Sequence, residues 1–338
     1  MKQILFTGER TAELVEKEIP AVDEYGVLCR TEYSVVSGGT ERANLIGLPN
    51  IPGGGFPRAL GYCSIGRVLK TGGRVTTVKP GDRVLIYHGT HSAYNVREED
   101  EITKVFQDDL KSEEAAFTII ASMGLGGVRK LHLELGESAM VMGLGLLGIF
   151  AIRFLHLSGA NPLIAADLNP ERRALALELG ADYAFDPADP DFTKNVREVT
   201  GGKGVNAIVE VTGVSKAMLQ ALECASFMGR ISLLGCTRIS DSAVDYYQQV
   251  HRPGVQLIGA HNFVRPKHDS YPGHWTHQDD CQAILSLMAA GKLPVDKILS
   301  RIVQPEECEA VYHELSDDPH FPLGTVFDWT DARFNEEF

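Results

Sequence analysis

A glycine-rich turn between two apolar segments constrains the fold of this chain more than any other feature of its sequence. The first segment predicts a strand, Ala139 to Gly143, and the second predicts a helix from about Leu147 to Ser158. Gly143 would permit the tight turn, Gly145 would let the backbone approach a pyrophosphate, and Gly148 would let the helix pack closely on the strand. This order predicts a dinucleotide-binding βαβ unit, with the helix N-terminus facing the phosphates.

An acidic residue ends the next strand, at the distance expected of such a unit. That strand is predicted from Pro162 to Asp167, and Asp167 lies about 20 residues beyond Gly148, where a carboxylate accepts hydrogen bonds from the adenosine ribose. Because the same carboxylate would repel a 2′-phosphate, NAD is predicted rather than NADP. Within the turn, the predicted cofactor contacts are Gly143, Leu144, Gly145, Leu146, Leu147 and Gly148.

Length and pattern predict two domains, because 338 residues exceed what one hydrophobic core normally supports. Short strands such as Gly26 to Ser34 and Ser64 to Thr71 occupy the first third, and alternating strands and helices follow residue 112. That alternation is typical of a parallel sheet. The helix after the second strand of the βαβ unit has its own start signal, because Asn169 can cap it ahead of Pro170.

The charge balance narrows the classes of partner. The formal net charge is −13, with 44% hydrophobic and 23% charged residues. Nucleic acids and anionic membranes require a clustered positive surface, so neither is expected as a partner. No apolar run has the length of a membrane span or a signal peptide, which predicts a cytoplasmic protein acting on a small molecule. The six cysteines lack the close pairs that are typical of zinc ribbons or redox dithiols.

Motifs spread along the chain resemble those of the medium-chain dehydrogenase/reductase superfamily. They read SVVSGGTERANL near the N-terminus, GYCSIGRVLKTGGRVTTVKPGDRV before the dinucleotide turn and GTVFDW near the C-terminus. The resemblance implies an α/β fold with a GroES-like, β-rich catalytic domain formed by residues 1–112 and 300–338. It also implies a Rossmann domain with a doubly wound parallel sheet formed by residues 113–299, an active site in the cleft between the domains and, by analogy, a homodimer.

Alcohol dehydrogenases of this superfamily hold a catalytic zinc ion through motifs that differ here. The positions of its three ligands fall at Gly38, Tyr62 and Thr118, none of which is a thiolate, imidazole or carboxylate. The four-cysteine loop of the structural zinc site is missing as well. We therefore expect no metal, with a non-standard zinc site of Glu41, Cys63 and a nearby His as the alternative. The motifs SGGTER and GYCSIGRV are also similar to those of the bacteriochlorophyllide dehydrogenase branch, which supports a zinc-poor branch.

Without zinc, side chains must stabilise and deprotonate the reacting alcohol. The resemblance implies three catalytic candidates: Thr40 matches a relay hydroxyl, Tyr62 replaces a zinc-binding His, and His88 falls at a substrate-pocket position. The relay His corresponds to Ala43, so the usual proton path is interrupted. Tyr62 is equally well interpreted as a buried Tyr bonded to the backbone. His91 ranks below His88, because a single His is more often a surface or structural residue.

The far end of the cofactor is predicted to lie against two later strands. VEVTGVSKAM and RISLLGCTR are similar to the strands that pass beside the nicotinamide in the superfamily, which implies contacts from Val211, Thr212, Leu234 and Gly235. Ser122 holds a position where relatives place a hydroxyl against the same ring, although a small residue there is also typical of helix packing.

The substrate pocket is predicted to be polar. The strand Leu257 to Ala260 should deliver His261 and Asn262 to the cleft, and Glu41 and His91 complete the predicted substrate-binding set. A pocket with imidazole and amide groups suits a hydroxyl-rich substrate better than an apolar one. The polar segment that follows is also typical of a solvated loop.

Together these features predict an NAD-dependent dehydrogenase that oxidises a secondary alcohol of a sugar- or polyol-like substrate without zinc. One alternative is a zinc-free enone or quinone reductase. Another is a nucleotide-binding protein that has lost catalysis.

Overall fold

The computed structural model describes residues 1–51, 53 and 55–334. The chain forms two compact units: Met1–Ile120 with the segment from Cys281 onward, and Ala121–Asp280. One unit is rich in antiparallel strands and the other is built on a parallel sheet, which confirms the predicted α/β fold class. Residues 335–338, the end of the predicted catalytic domain, lie outside the described residues.

Strands predominate in the first unit and alternate with helices in the second. The strands in chain order are β1 (Lys2–Gly8), β2 (Thr11–Glu16), β3 (Gly26–Val35), β4 (Cys63–Thr71), β5 (Arg83–Tyr87), β6 (Tyr94–Glu98), β7 (Ile102–Lys104), β8 (Ala139–Met142), β9 (Leu163–Ala166), β10 (Tyr183–Phe185), β11 (Val205–Glu210), β12 (Ala225–Leu233), β13 (Gln256–Gly259), β14 (Leu299–Val303) and β15 (Gly324–Asp328). The α-helices are α1 (Gly38–Leu45), α2 (Ser112–Ala115), α3 (Thr118–Arg129), α4 (Leu146–Leu157), α5 (Pro170–Glu178), α6 (Phe192–Val199), α7 (Ser215–Cys224), α8 (His277–Ala289) and α9 (Cys308–Asp317).

The boundaries between the units lie elsewhere than the sequence predicts. The prediction places them near residues 112 and 300, where the strand and helix pattern changes, whereas the structure places them within α3 and within α8. The first boundary comes later because α2 packs against β3 and β4 and so belongs to the first unit. The change of pattern at residue 112 therefore marks a helix that packs on that sheet and not the start of a new core.

The first unit is built on a mainly antiparallel sheet. Its strand order is β14-β15-β3-β4-β5-β7, with β6 also paired with β3 and β1 paired with β2 in a separate hairpin. Phe327 and Tyr312 belong to its main core, which β15 and α9 help to form. In the register of β4 and β5, Cys63 lies opposite Tyr87.

The second unit has a parallel sheet with the order β10-β9-β8-β11-β12-β13. The order reverses between β8 and β11, and ligands of such sheets bind at the carboxyl ends of the strands near that reversal. The predicted strand Ala139 to Gly143 and the predicted helix from Leu147 correspond to β8 and α4. Asn169 caps α5 as predicted, because its side-chain oxygen accepts N–H bonds from Glu171 and Arg172. No helix within the described part of the chain is both long enough and apolar enough to cross a membrane.

Candidate functional site

The glycine turn joins β8 to α4 in the second unit. Gly143 has a φ of 92°, which favours glycine, and an added Cβ at Gly148 would lie 1.8 Å from the carbonyl oxygen of Gly143. An added Cβ at Gly145, the N-cap of α4, would meet no atom within 4 Å. The turn thus leaves open space beside the first N–H groups of α4, which is the geometry that a pyrophosphate requires. Leu146 is buried on α4, and Leu147 is half-buried beside it.

Asp167 follows β9 and faces the turn. Its Oδ2 accepts a hydrogen bond of 2.6 Å from the N–H of Leu144, and its Oδ1 accepts one of 2.8 Å from the N–H of Asn169. β9 is the parallel neighbour of β8, so the carboxylate lies at the same edge of the sheet as the glycines. Backbone donors therefore fix the carboxylate that the sequence predicts to contact the ribose.

The ends of β11 and β12 meet at this edge as well. The N–H of Val211 donates to the carbonyl of Met142 on β8, and an added Cβ at Gly235 would lie 2.6 Å from Val211 backbone atoms. Leu234 is buried, whereas Thr212 is exposed. All of the predicted contacts that follow β8, β9, β11 and β12 thus come together at the carboxyl edge of one sheet.

Three other predicted residues of the second unit lie in different environments. They are Ser122, His261 and Asn262. Ser122 is fully buried in α3, and its Oγ lies 3.2 Å from Nδ1 of His277. His261 and Asn262 follow β13, the edge strand, where His261 is exposed and Asn262 is half-buried. The predicted strand from Leu257 therefore ends where it was placed, within one residue.

In the first unit, Tyr62 is held by two hydroxyl groups. Ser37, the N-cap residue of α1, has its Oγ 2.5 Å from the phenol oxygen of Tyr62, and the hydroxyl of Thr40 also hydrogen-bonds to it. Burial raises the pKa of Tyr62 well above its usual range, and the nearby Cys63 and Glu41 add to the increase. The phenol therefore keeps its proton at physiological pH. Both of these partners are side chains, whereas the alternative interpretation is a buried Tyr bonded to the backbone.

Glu41 and His91 form a sealed pair beneath this cluster. Their side chains are 0% and 1% exposed, and Nε2 of His91 lies 3.2 Å from both carboxylate oxygens. The hydroxyl of Tyr312 donates to Glu41 Oε2 at 2.7 Å, and the N–H of Ser37 donates to Oε1 at 2.8 Å. On its other side, Nδ1 of His91 lies 2.7 Å from Ser34 Oγ. These contacts favour a structural role, so a direct contact of Glu41 or His91 with substrate stays a prediction that the geometry does not support.

His88 lies at the same end of the sheet as Tyr62, but it is exposed. It follows Tyr87 directly, and Tyr62 precedes Cys63, the residue opposite Tyr87. Its Nδ1 lies 2.8 Å from Oε1 of Glu101. Three predicted catalytic residues, Thr40, Tyr62 and His88, thus lie around one corner of the first unit.

Known proteins resemble this chain in sequence and in fold. Residues 147–272 match the family model described as zinc-binding dehydrogenase. (R,R)-butanediol dehydrogenase of Bacillus subtilis is 27% identical over 72% of this chain and 73% of its own length. D-guloside 3-dehydrogenase of Escherichia coli is 24% identical over 90% of this chain and 92% of its own length. The solved structure of galactitol-1-phosphate dehydrogenase from Escherichia coli has a TM-score of 0.83 at 17% identity, covering 97% of this chain and 100% of that one.

These findings support the predicted resemblance of the chain to the medium-chain dehydrogenase/reductase superfamily. The matched residues lie within the second unit, outside the three positions at which this superfamily holds catalytic zinc. At those positions Gly38 has no side chain, Tyr62 is bonded to Ser37, and the buried hydroxyl of Thr118 donates to Met288 Sδ at 3.7 Å. These three residues do not fit a zinc ion.

The alternative zinc site of Glu41, Cys63 and a nearby His does not fit the metal either. The nearby His is His91, and the contacts of its ring and of Glu41 are those of the sealed pair. Cys63 is fully buried, and burial raises the pKa of its thiol well above the usual range. Across residues 1–51, 53 and 55–334, no group of three or more His, Cys, Asp or Glu side chains is arranged to hold a metal ion.

Four residues at or near these sites are not among those predicted from the sequence. Ser37 lies within the SGGTER motif, one position before Gly38, and Tyr312 bonds to Glu41 from a distant part of the chain. Glu101 lies in the acidic run REEDE, which is typical of a solvated surface. Glu210 carried a usable signal, because it ends an apolar strand as Asp167 does. Burial raises the pKa of Glu210, and its carboxylate accepts the N–H of Thr212 at 2.7 Å.

Proposed function

We propose that this protein is an NAD-dependent dehydrogenase that oxidises a secondary alcohol of a polar, sugar- or polyol-like substrate without catalytic zinc. The observation that carries the proposal is the position of Asp167, held by the N–H of Leu144 at the edge where the glycine turn opens. The two sequence relatives named above are dehydrogenases of hydroxyl-bearing compounds, a diol and a glycoside, which supports an alcohol as substrate.

The second unit has the donors and the space that NAD needs. The first N–H groups of α4 would bind the pyrophosphate, and Asp167 would accept the ribose hydroxyls. Val211, Thr212, Leu234 and Gly235 would contact the nicotinamide half. When bound, NAD⁺ supplies the hydride acceptor.

The first unit supplies hydrogen bonds to the alcohol. Because its pKa is raised well above the usual range, Tyr62 acts as a neutral donor and not as a base. Ser37 and Thr40 hold the phenol oxygen, so that its direction is set before substrate arrives. A donor prepared in this way stabilises the negative charge that develops on the substrate oxygen as the C–H bond weakens.

The test is NADH production by the purified full-length chain with 2,3-butanediol, galactitol, D-sorbitol and methyl β-D-glucoside, each with NAD⁺ and with NADP⁺. We expect turnover with NAD⁺. In Asp167→Asn the kcat/KM for NAD⁺ should fall about 10–100-fold, because hydrogen bonds to a charged group contribute about 1.5–3 kcal/mol. Asp189→Asn is the control, since Asp189 is an exposed carboxylate of the same unit. NADPH-linked enone reduction without alcohol oxidation would contradict the proposal and favour the reductase alternative.

A further inference from the structure

A histidine paired with a carboxylate lies at the strand end that carries Tyr62. His88 follows β5, and the register of Cys63 opposite Tyr87 puts Tyr62 and His88 at the same end of neighbouring strands. Nδ1 of His88 lies 2.8 Å from Oε1 of Glu101, which belongs to a short 3-10 turn after β6. The two side chains are 39% and 28% exposed, so the pair is accessible to a ligand and to water.

The ring of His88 is held in one orientation. It stacks on Tyr87 with ring centroids 3.7 Å apart and an interplanar angle of 27°. Its backbone has a φ of 55°, which is uncommon for a residue other than glycine. The loop that follows is anchored, because Asn95 Oδ1 accepts the N–H of Thr90 at 2.8 Å. Packing and the loop therefore fix the imidazole.

The carboxylate of Glu101 stays ionised at neutral pH. Partial burial acts to raise its pKa, but the hydrogen bond and charge of His88 and the charge of Arg97 outweigh that effect, and the pKa is lowered. Charged or titratable groups near the imidazole include Glu101, Arg97 on β6 and Tyr87 beneath the ring, and Tyr62 lies on the neighbouring strand end.

An ionised Glu101 fixes which ring nitrogen carries the proton. A carboxylate can only accept, so Nδ1 of a neutral His88 presents its N–H to Glu101 and the basic lone pair is on Nε2. We propose that His88 accepts the proton in the alcohol oxidation and that Glu101 is its positioning residue. The inference rests on the proposed function and assigns the base of that reaction.

Atoms and charges balance in this step. The substrate O–H bond breaks and its proton goes to Nε2 of His88, the C–H bond breaks and its hydride goes to NAD⁺, and the carbon–oxygen double bond of the product forms. The imidazolium is stabilised by the carboxylate of Glu101. Because the ring is exposed, the proton then leaves to water and Glu101 is unchanged.

The other groups near this corner do not serve as the base. Tyr62 keeps its own proton, since its pKa is raised well above the usual range. Thr40 carries an aliphatic hydroxyl, which does not ionise in the physiological range. His91 is sealed against Glu41 and Ser34, so no proton of a bound substrate reaches it directly.

The first test needs neither cofactor nor substrate. The ¹⁵N NMR shifts of histidine-labelled full-length protein, at a pH where the ring is neutral, report which nitrogen of His88 is protonated. We expect protonation at Nδ1 in the wild type and loss of that preference in Glu101→Gln, because an amide can also donate to Nδ1. An unchanged tautomer in Glu101→Gln would show that this carboxylate does not orient the proton on His88.

The second test is kinetic and uses the alcohol of the panel above with the highest kcat/KM. His88→Gly accommodates the positive φ and should lower kcat/KM about 10²–10⁴-fold, the usual contribution of general base catalysis, with partial rescue by added imidazole. Glu101→Gln should lower kcat/KM about 10–100-fold, as for other groups that orient a histidine. In this variant the acid limb of the pH profile of kcat/KM should move to lower pH, because the imidazolium of His88 loses the negative charge of Glu101.

A matched control is the exposed pair His313 and Asp317, whose nearest atoms are 3.7 Å apart. His313→Gln should leave kcat/KM unchanged. If the wild type oxidises an alcohol but Glu101→Gln changes neither the tautomer nor the pH profile, or His88→Gly keeps wild-type kcat/KM, the inference is wrong and the proposed function stands. If the wild type oxidises none of the four alcohols, both fail.

Discussion

Two histidine–glutamate pairs lie close together in the first unit, and their surroundings differ completely. His88 and Glu101 are 39% and 28% exposed, whereas His91 and Glu41 are 1% and 0% exposed. The buried pair has further donors, from Tyr312 and from the backbone of Ser37, so that each polar group is satisfied without water. The same two residue types therefore stabilise the fold where they are sealed and are available for chemistry where water and ligand can enter.

The largest expected loss of stability follows from a substitution in the buried pair. Glu41→Ala should lower the free energy of unfolding by about 3–5 kcal/mol, because it leaves His91 and the hydroxyl of Tyr312 buried without their acceptor. Urea denaturation of the full chain measures this loss, with Glu101→Ala as the matched control. Equal losses in the two variants would remove the distinction between the pairs.

A smaller loss of stability is expected when the hydroxyl of Tyr312, which bonds to Glu41, is removed. Tyr312→Phe removes one donor at 2.7 Å and keeps the ring in the core, so it should cost about 1.5–3 kcal/mol, the value of a hydrogen bond to a charged group. Tyr271→Phe is a suitable control, since Tyr271 is 56% exposed. An unchanged urea midpoint in Tyr312→Phe would show that Glu41 does not depend on this donor.

The smallest effect on stability is expected at the exposed pair. Glu101→Gln should change the free energy of unfolding by at most about 0.5 kcal/mol at neutral pH, because exposed ion pairs contribute little. Since the folded-state pKa of Glu101 is lowered from 4.5, its contribution is complete above that pH and is lost as the pH falls through the folded pKa. Urea denaturation at a series of acidic pH values should therefore show that the free energy of unfolding falls slightly less with decreasing pH in Glu101→Gln than in the wild type. A large loss at neutral pH would mean that this pair is also structural.

The fold and the positions of the glycine turn and Asp167 could be predicted because their signals are local. Gly143, Gly148 and Asp167 lie within one βαβ unit, and the order of strand, turn and helix fixes where each one lies. The buried pair could not be predicted in the same way. Glu41 contacts Tyr312 only because α9, which lies far along the chain, packs in the core of the first unit. No spacing pattern in the sequence indicates that contact.

The two loop histidines show a second limit. Sequence reasoning ranks His88 above His91 but includes both in the site, because burial is set by the loop and not by residue type. His91 turns inward to Ser34, whereas His88, at a φ of 55°, stays exposed beside Glu101. The backbone conformation that separates them depends on tertiary packing, which a single sequence does not reveal.

Ser37 belongs to both clusters, since its N–H bonds to Glu41 and its hydroxyl to Tyr62. One residue of the chain therefore links the sealed pair with the phenol at the surface of the site. Under the proposed function, a substitution that loosens the interior around Glu41 would therefore displace the phenol of Tyr62 and lower turnover, even in molecules that remain folded.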